Sequence, residues 1–323
     1  MKTKTMTMQE NSENTSELAP IFQHIALNYL REDENIRTQA LEQFREWITK
    51  DPNIKNCRLD STFLLKFMRT KKYNISLAYS ILKEYLSVFR LYPRWFEKIS
   101  VDDQLLLDFF MDGVLIPLPD RDEDGCQIII YNLKNMNLDK FCSQEFYRLQ
   151  VLVYHIFFED HETQIAGVNV CINFTGFDMK RLAMFSLIDF SNFGRIVRHA
   201  IPIRLAKLNF INMSKYYKPF YEVVMSLMTP KLKKRVHSYK NFKDLKKVMD
   251  LSILPKEFGG KQELSDVLQQ FVKKMKSRRE VIRELGDMRI ELPKHTNNDW
   301  YLNNNSSKIG SGMVGSFRRL SLD

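Results

Sequence analysis

Apolar residues recur at helical spacing in the first hundred residues of the chain. The pattern appears in three segments, Leu18 to Lys50, Phe63 to Arg69 and Ser76 to Arg90. Asp51-Pro52-Asn53 ends the first segment, and Pro93 marks the end of the third. The pattern predicts a helical N-terminal subdomain over residues 20–100, preceded by a polar, disordered tail at residues 1–19.

After residue 100 the pattern changes to strands that alternate with helices. Short apolar runs predict strands at Gly113 to Leu118, Gln127 to Leu133, Gly167 to Phe174 and Leu205 to Asn212. Longer apolar segments predict helices at Gln144 to His161 and Phe177 to Arg198. This alternation predicts an α/β domain over residues 101–262. An exposed basic helix and a flexible tail are expected over residues 263–323.

One stretch combines an apolar segment with clustered cations. Lys215 to Met228 carries Tyr216, Phe220, Val223, Val224, Leu227 and Met228 at helical spacing. A basic run follows at Lys231, Lys233, Lys234 and Arg235. Such a pattern is typical of a lid over an apolar cavity beside a membrane-facing charge patch. It is also typical of a core helix followed by a solvated turn, and spacing alone favours that second interpretation.

Composition limits the classes of partner that the protein is expected to bind and the compartment in which it is expected to occur. The 323 residues carry a net charge of +10, which indicates an acidic partner, either nucleic acid or an anionic membrane. The four cysteines lie far apart and predict free thiols in a reducing compartment. The start of the sequence lacks a secretory apolar segment, and Leu149 to Phe158 is too short to span a bilayer. We therefore expect a soluble, cytoplasmic protein.

The sequence contains no convincing catalytic or cofactor-binding motif. Gly310 to Gly315 fits G-x-G-x-x-G by letter but follows an Asn/Ser run instead of a strand, and only eight residues remain after it. His161-Glu162 lacks a second histidine four residues on, which argues against a zinc site. We expect no enzyme activity, no cofactor and no metal.

Four motifs in order give the sequence a family resemblance. They are Ile201-Pro202-Ile203-Arg204, Phe210-Ile211-Asn212, Lys231-x-Lys233-x-Arg235-Val236-His237 and Leu254-Pro255-x-Glu257-Phe258-Gly259-Gly260. With Phe63 to Arg69 upstream, the chain resembles the CRAL-TRIO lipid-transfer family over residues 20–262. The resemblance implies a mixed β-sheet floor, flanking helices and a lid helix over an apolar cavity. It also implies a carrier that moves one small hydrophobic lipid, a retinoid, a tocopherol or similar, between membranes.

The resemblance places particular residues around that cavity. The implied ligand-binding positions are Tyr147, Gln150, Tyr154, Val168, Val170, Ile172, Phe193, Ile196, Val197, Ile201, Ile203, Leu205 and Leu208. The implied lid positions are Phe220, Val223, Val224 and Leu227. Relatives carry smaller or less polar groups at Gln150 and Tyr154, so we expect this pocket to be tighter and more polar.

The same resemblance implies a cleft that binds phosphoinositide headgroups. Its positive charges fall here on Lys71, Arg204, Lys231 and Arg235. Two further basic positions of the cleft are Ser80 and Ala206 in this chain, so the cleft is incomplete. Lys207 is adjacent in sequence, but alternation along a strand points it to the opposite face.

Three other functions stay open at this stage. A phosphoinositide-sensing scaffold would bind lipid without transferring it. A nucleic-acid-binding protein would use the net positive charge, although we find no nucleic-acid fold signature. An enzyme would turn over a hydrophobic substrate in the same cavity. We expect a monomer whose partners are a lipid and an anionic membrane surface, with transient membrane association and no nucleic acid.

Overall fold

The computed structural model describes residues 18–226 and 228–291, except the side chains of residues 219, 220 and 247. The helices are α1 Pro20–His24, α2 Glu34–Lys50, α3 Ser61–Thr70, α4 Ile75–Leu91, α5 Pro93–Phe96, α6 Gln104–Met111, α7 Ser143–Phe158, α8 His161–Ala166, α9 Met179–Ala183, α10 Leu187–His199, α11 Lys218–Ser226, α12 Pro230–Lys233, α13 Leu264–Ser277 and α14 Arg279–Leu285. The strands are β1 Ile54–Lys55, β2 Leu115–Arg121, β3 Gln127–Asn132, β4 Val168–Asn173, β5 Leu205–Ile211, β6 Val236–Tyr239 and β7 Arg289–Ile290. Residues 1–17 of the tail predicted over residues 1–19, and residues 292–323 of the predicted C-terminal tail with its glycine motif, lie outside the described residues.

A mixed five-stranded sheet carries the second half of the fold. Its strand order is β2-β3-β4-β5-β6, with β2 antiparallel to β3 and the other neighbours parallel. Helical crossovers connect the parallel strands, as parallel pairing requires. The predicted α/β class and mixed sheet are confirmed. In the described part of the chain, no helix is long and apolar enough to cross a bilayer.

The predicted single helix from Leu18 to Lys50 is wrong. A π-helix over Ile25–Leu30 follows α1, and Arg31 then adopts a left-handed conformation with φ of 62°. Asp33 caps α2, because its carboxylate accepts a hydrogen bond from the Ile36 amide at 2.8 Å. Local side-chain capping therefore divides a segment that periodicity joins.

The same kind of capping corrects two more predicted helices. The helix predicted up to His161 ends at Phe158, because the Asp160 carboxylate caps α8 through the Glu162 amide at 3.1 Å. The helix predicted over Phe177 to Arg198 is divided into α9 and α10, and Ser186 caps α10. The helix predicted to be exposed at residues 263–285 also divides, and its first part buries Val267, Leu268, Phe271 and Met275. That part, α13, packs against β2, and its exposed positions are polar, among them Lys273 and Lys276.

Buried ion pairs connect the N-terminal helices to the rest of the fold. Arg58 donates two hydrogen bonds to the buried Glu159 carboxylate, both at 3.0 Å. The Lys66 ammonium lies 3.9 Å from the same carboxylate and 4.0 Å from the centre of the Phe63 ring. Burial lowers the pKa of Lys66 to about 8, although Glu159 opposes the shift. Removing one partner of such a group would leave an uncompensated buried charge, so these pairs hold α3 against the junction between α7 and α8.

The motif Leu254 to Gly260 closes the domain with two glycines in different roles. Gly259 has φ of 88° and its Cβ position meets open space. Gly260 is different, because a Cβ there would lie 1.8 Å from the Leu254 carbonyl oxygen. The second glycine therefore permits a close backbone approach, and the first permits a left-handed turn.

These two glycines predict unequal costs for the same substitution. We expect Gly259→Ala to reduce the free energy of unfolding by about 1–2 kcal/mol, the cost of a left-handed L-residue. We expect Gly260→Ala to cost more than about 4 kcal/mol, because backbone atoms must move apart. Urea unfolding followed by circular dichroism measures both. Equal losses would mean that the close approach at Gly260 is not rigid.

Candidate functional site

A cavity of about 490 Å³ lies between the sheet and the helices α7, α10 and α11. The sheet contributes Tyr131, Val170, Ile172 and Leu208 to its wall. Val170 and Ile172 share a face because side chains alternate along a strand. The wall is mostly apolar and aromatic, with Phe146, Phe177, Phe185, Phe190 and Phe193 among its members. A cavity of this size and character fits a small hydrophobic molecule.

Most of the predicted pocket positions reach this wall. They are Tyr147, Gln150, Tyr154, Val170, Ile172, Phe193, Val197, Ile203, Leu205 and Leu208. Val168, Ile196 and Ile201 do not line it and are buried in the core at 1%, 0% and 4% exposure. Val168 is the first residue of β4 and pairs with Leu205, after which β5 carries one extra residue, Ala206. Contact with a ligand stays a prediction for all of these residues.

A polar group interrupts the apolar wall. The Tyr131 hydroxyl donates to the Gln150 amide oxygen at 3.1 Å and lies 2.5 Å from the Tyr154 hydroxyl. Burial raises the pKa of Tyr154 to about 12, and the Tyr131 hydrogen bond opposes this. The Tyr147 hydroxyl is also buried and has no hydrogen-bond partner among the described residues. This part of the wall therefore offers neutral hydrogen-bonding groups to a ligand.

Sequence reasoning missed Tyr131, because its position in the wall depends on strand pairing. In the parallel register Tyr131 pairs with Ile172, and both residues line the cavity. The alternation on β4 was visible in the sequence, but the partner strand was not. A correct β3–β4 register would have identified Tyr131.

The predicted lid segment begins differently from the prediction. A 3-10 turn over Lys215–Tyr217 precedes α11. Tyr216 was expected on the apolar face, but it is 85% exposed because the turn displaces it from the helix. Val224 is buried and lines the cavity, whereas Val223 is half-buried and does not line it. The Phe220 side chain and Leu227 lie outside the described residues.

All four predicted headgroup residues line one region of the same cavity. Lys71, Arg204, Lys231 and Arg235 are joined there by Lys72. In the part of the chain that the structure describes, no carboxylate lies within salt-bridge distance of any of these five cations. We call these five residues the cation cluster. By contrast, Lys207 lies off the cavity and pairs with Asp122 at 2.9 Å, as alternation predicts.

Local chemistry indicates that the cation cluster lacks a counter-ion. The Arg204 Nε is buried without a hydrogen-bond partner among the described residues, and its Nη1 donates to the Ile165 carbonyl. Burial lowers the pKa of Arg204, and Arg235 adds to this effect. Burial also lowers the pKa of Lys71. An anion bound here would compensate for the hydration that these cations lose on burial and would stabilise their charged forms.

Tyr29 lies at the centre of the cation cluster, and sequence reasoning missed it. The Arg235 Nη2 lies 3.3 Å from its hydroxyl oxygen, and Lys72 and Arg204 lie 3.7 and 4.2 Å from the ring centre. Tyr29 comes from the π-helix, about two hundred residues before Arg235. No local pattern in the sequence predicts so distant a contact.

Comparison with known proteins agrees with this architecture. Residues 111–260, which hold the whole five-stranded sheet, match the model for the CRAL/TRIO domain. Residues 111–260 of the chain are a CRAL/TRIO domain. The family is one of lipid-binding and lipid-transfer proteins, which agrees with an apolar cavity on the sheet.

Similar proteins extend beyond that domain. Clavesin-1 of Xenopus laevis is 26% identical over 234 residues, which cover 72% of this chain and 70% of that protein. A human protein named alpha-tocopherol transfer protein-like is 24% identical over 233 residues, covering 72% of this chain and 67% of that one. Among solved structures, Sfh5 superposes with a TM-score of 0.48 at 12% identity, over 76% of this chain and 99% of that one.

The CRAL/TRIO domain alone does not complete the cavity. Tyr29, Leu30 and the segment from Arg69 to Lys72 line it from the N-terminal region, outside residues 111–260. The apolar wall and Arg204, Lys231 and Arg235 come from within the domain. The cation cluster therefore lies where the two regions meet.

The polar group in the wall predicts a specific stability loss. Tyr131→Phe removes a buried hydroxyl that two partners use, so we expect the free energy of unfolding to fall by about 1–3 kcal/mol. Tyr216→Phe is the matched control, because that side chain is exposed, and it should change stability by less than about 0.5 kcal/mol. Thermal and urea unfolding measure both variants. Similar values for the two would contradict a buried Tyr131–Gln150–Tyr154 group.

Proposed function

We propose that the protein carries one small hydrophobic lipid in this cavity and transfers it between membranes. The proposal rests on one observation: an apolar cavity and a cation cluster without carboxylate partners share one wall. An apolar interior suits a lipid, and uncompensated cations at its edge suit the phosphates of a membrane surface. The CRAL/TRIO domain over residues 111–260 supports lipid binding and lipid transfer in general.

The wall favours a neutral lipid that carries an oxygen. At about 490 Å³ the cavity is in the range for compact ligands and suits a retinoid or a tocopherol-sized molecule. The unpartnered Tyr147 hydroxyl and the Tyr131–Gln150–Tyr154 group can bind a ligand hydroxyl or carbonyl. A hydrocarbon without oxygen would leave the Tyr147 hydroxyl unsatisfied, which costs free energy in an apolar wall.

The cation cluster supports docking on a phosphoinositide headgroup. Lys71 and Lys72 follow α3, Arg204 precedes β5, Lys231 lies on α12 and Arg235 precedes β6. Donors that converge from several elements suit a ligand with several phosphates. Each such cation near an anionic surface contributes on the order of 1 kcal/mol to membrane binding.

The segment from Lys215 to Met228 is proposed as the lid. Val224 and Met228 cover the cavity from one side, and their exposure to water would cost free energy. At a bilayer this cost disappears, because Val224 and Met228 would contact acyl chains instead of the cavity wall. Outward movement at a membrane would then let the lipid pass between bilayer and cavity. Transient association of a cytoplasmic monomer with membranes follows from this mechanism.

The position of the cations favours this function over nucleic-acid binding. The cluster residues line a cavity whose other walls are apolar, whereas a nucleic-acid site needs cations along an open surface. A lipid headgroup above acyl chains fits such a junction.

Two measurements test whether the protein carries a lipid: the detection of a bound lipid and the time for which the protein retains it. We expect native mass spectrometry of protein from its own tissue to detect one stoichiometric hydrophobic molecule. Val224→Asp should shorten retention of that molecule at least about tenfold, because a carboxylate in the apolar wall is costly. Val223→Asp is the matched control and should change retention little, since Val223 does not line the cavity. Empty protein, or equal effects of both variants, would contradict the proposed carrier.

Vesicle binding tests the cation cluster. Replacing Arg204, Lys231 and Arg235 by Gln should weaken binding to vesicles containing phosphatidylinositol bisphosphate about a hundredfold, at about 1 kcal/mol per cation. The matched control replaces three exposed cations, Lys273 and Lys276 of α13 and Arg278 directly after it, by Gln, and should weaken binding far less. Flotation at two salt concentrations measures the effect, which should shrink as salt screens the charges. Equal losses in both variants would indicate binding through net charge alone.

A further inference from the structure

We propose that Tyr29 occupies the phosphate position of the cation cluster and acts as a latch that an arriving headgroup displaces. Displacement would release the segment 20–30 and open the cavity wall that this segment covers. The inference rests on the proposed headgroup site and adds to it a device that couples membrane contact to lipid exchange.

The contacts of Tyr29 are those that a bound phosphate would need. Arg235 lies at hydrogen-bond distance from the phenol oxygen, at 3.3 Å. The Lys72 ammonium and the Arg204 guanidinium both lie over the ring, at 3.7 and 4.2 Å from its centre. A headgroup phosphate that bridges these three cations must enter the space that the ring fills.

The electrostatics of the cluster favour negative charge at that position. Burial alone would raise the pKa of the Tyr29 hydroxyl, but Arg204, Arg235, Lys231 and Lys72 lower it on balance. In the described part of the chain the cluster has no carboxylate partner. The phenol is a neutral acceptor, whereas a phosphate forms charge-assisted hydrogen bonds that are roughly twice as strong. A phosphate should therefore replace the phenol when one is available.

The segment that carries Tyr29 is built to move as a unit. It packs through a small hydrophobic cluster of Phe22, Ala26, Leu30, Ile165 and Ala166 that is separate from the main core. Its second half is a π-helix, a rare form that is frequent at functional sites. Few buried apolar contacts give a segment a low free energy of local opening.

A hinge and an anchor follow the segment directly. Arg31 adopts the left-handed conformation, and the next residue, Glu32, is held by Arg69 through two buried hydrogen bonds at 2.7 and 2.8 Å. Movement of the segment therefore stops at residue 31. Because Tyr29 and Leu30 line the cavity, release of the segment removes part of the wall beside Lys71 and Lys72.

Hydrogen exchange on the full chain tests the displacement. The probe is soluble inositol trisphosphate, which supplies the phosphates without a membrane. We expect amides of residues 21–30 to exchange faster when the probe is bound, while amides of β4 do not change. Greater protection of residues 21–30 on binding would overturn the latch, because Tyr29 would then be a ligand of the phosphate.

Affinity for the same probe gives an independent measurement. Tyr29→Ala removes the competing side chain, so calorimetry should give inositol trisphosphate binding about five- to tenfold tighter than in the unmodified protein. Tyr29→Phe keeps the ring over Lys72 and Arg204 and loses only the hydroxyl, so we expect a smaller gain. Tyr216→Ala, at an exposed tyrosine that does not line the cavity, is the control and should not change affinity. Weaker binding by the Tyr29→Ala and Tyr29→Phe proteins would overturn the latch.

Different results would contradict the proposed headgroup site and the proposed Tyr29 latch. If the unmodified protein binds neither inositol trisphosphate nor vesicles with phosphatidylinositol bisphosphate, both the proposed headgroup site and the proposed latch are wrong. If the unmodified protein binds the probe but the Tyr29 variants bind it more weakly, the headgroup site stands and only the latch is overturned.

Discussion

Parallel strands β4, β5 and β6 begin toward the same edge of the sheet, and this shared edge brings the arginines of the cation cluster together. Arg204 directly precedes β5, and the Val168 amide donates to its carbonyl at 2.9 Å. Gly167 permits this approach, because a Cβ at that position would lie 2.5 Å from the Arg204 carbonyl oxygen. Arg235 precedes β6, its carbonyl accepts a hydrogen bond from the Leu208 amide at 2.9 Å, and its side-chain Nη1 donates to the Leu205 carbonyl. Backbone pairing therefore positions two guanidinium groups before any ligand is present.

The N-terminal helices depend on a second constraint, the burial of charge against α7 and α8. Arg58 and Lys66 share the Glu159 carboxylate, and Arg69 contacts both Glu32 and Gln164. Charges buried in this way are costly unless they meet their partners, so they select one arrangement of the two regions. That arrangement brings Lys71, Lys72 and Tyr29 to the arginines of the sheet edge. The part of the cavity lined by the cation cluster is thus formed by packing of the N-terminal helices against the CRAL/TRIO domain.

Some of the wall residues that the family resemblance implied also follow from local periodicity. Tyr147, Gln150 and Tyr154 reach the wall because positions three and four apart share a helix face. Val170 and Ile172 follow from alternation and line the cavity, whereas Val168, two residues before Val170, does not line it. Tyr131 needed the strand pairing, and Tyr29 needed a contact across most of the chain. The break at Arg31 also escaped prediction, since a cap at Asp33 outweighs apolar spacing across residues 30–34. The family resemblance therefore identified most of the wall and four of the five cations, whereas Tyr131, Tyr29 and the break at Arg31 required tertiary structure.

The two polar features of the cavity lie at different levels of the sheet, and this separation bears on how a lipid is held. Tyr131 pairs with Ile172 near the carboxyl end of β4, whereas Arg204 adjoins Gly167 before its amino end. Four residue steps separate Val168 from Ile172, about 13 Å at the rise of an extended strand. A neutral lipid whose oxygen binds at the Tyr131 level leaves the cations free for membrane phosphates. A lipid with an acidic head would instead neutralise the cluster from inside and compete with docking. The geometry thus favours a neutral cargo, because only then can one cavity serve both a carried lipid and a membrane headgroup.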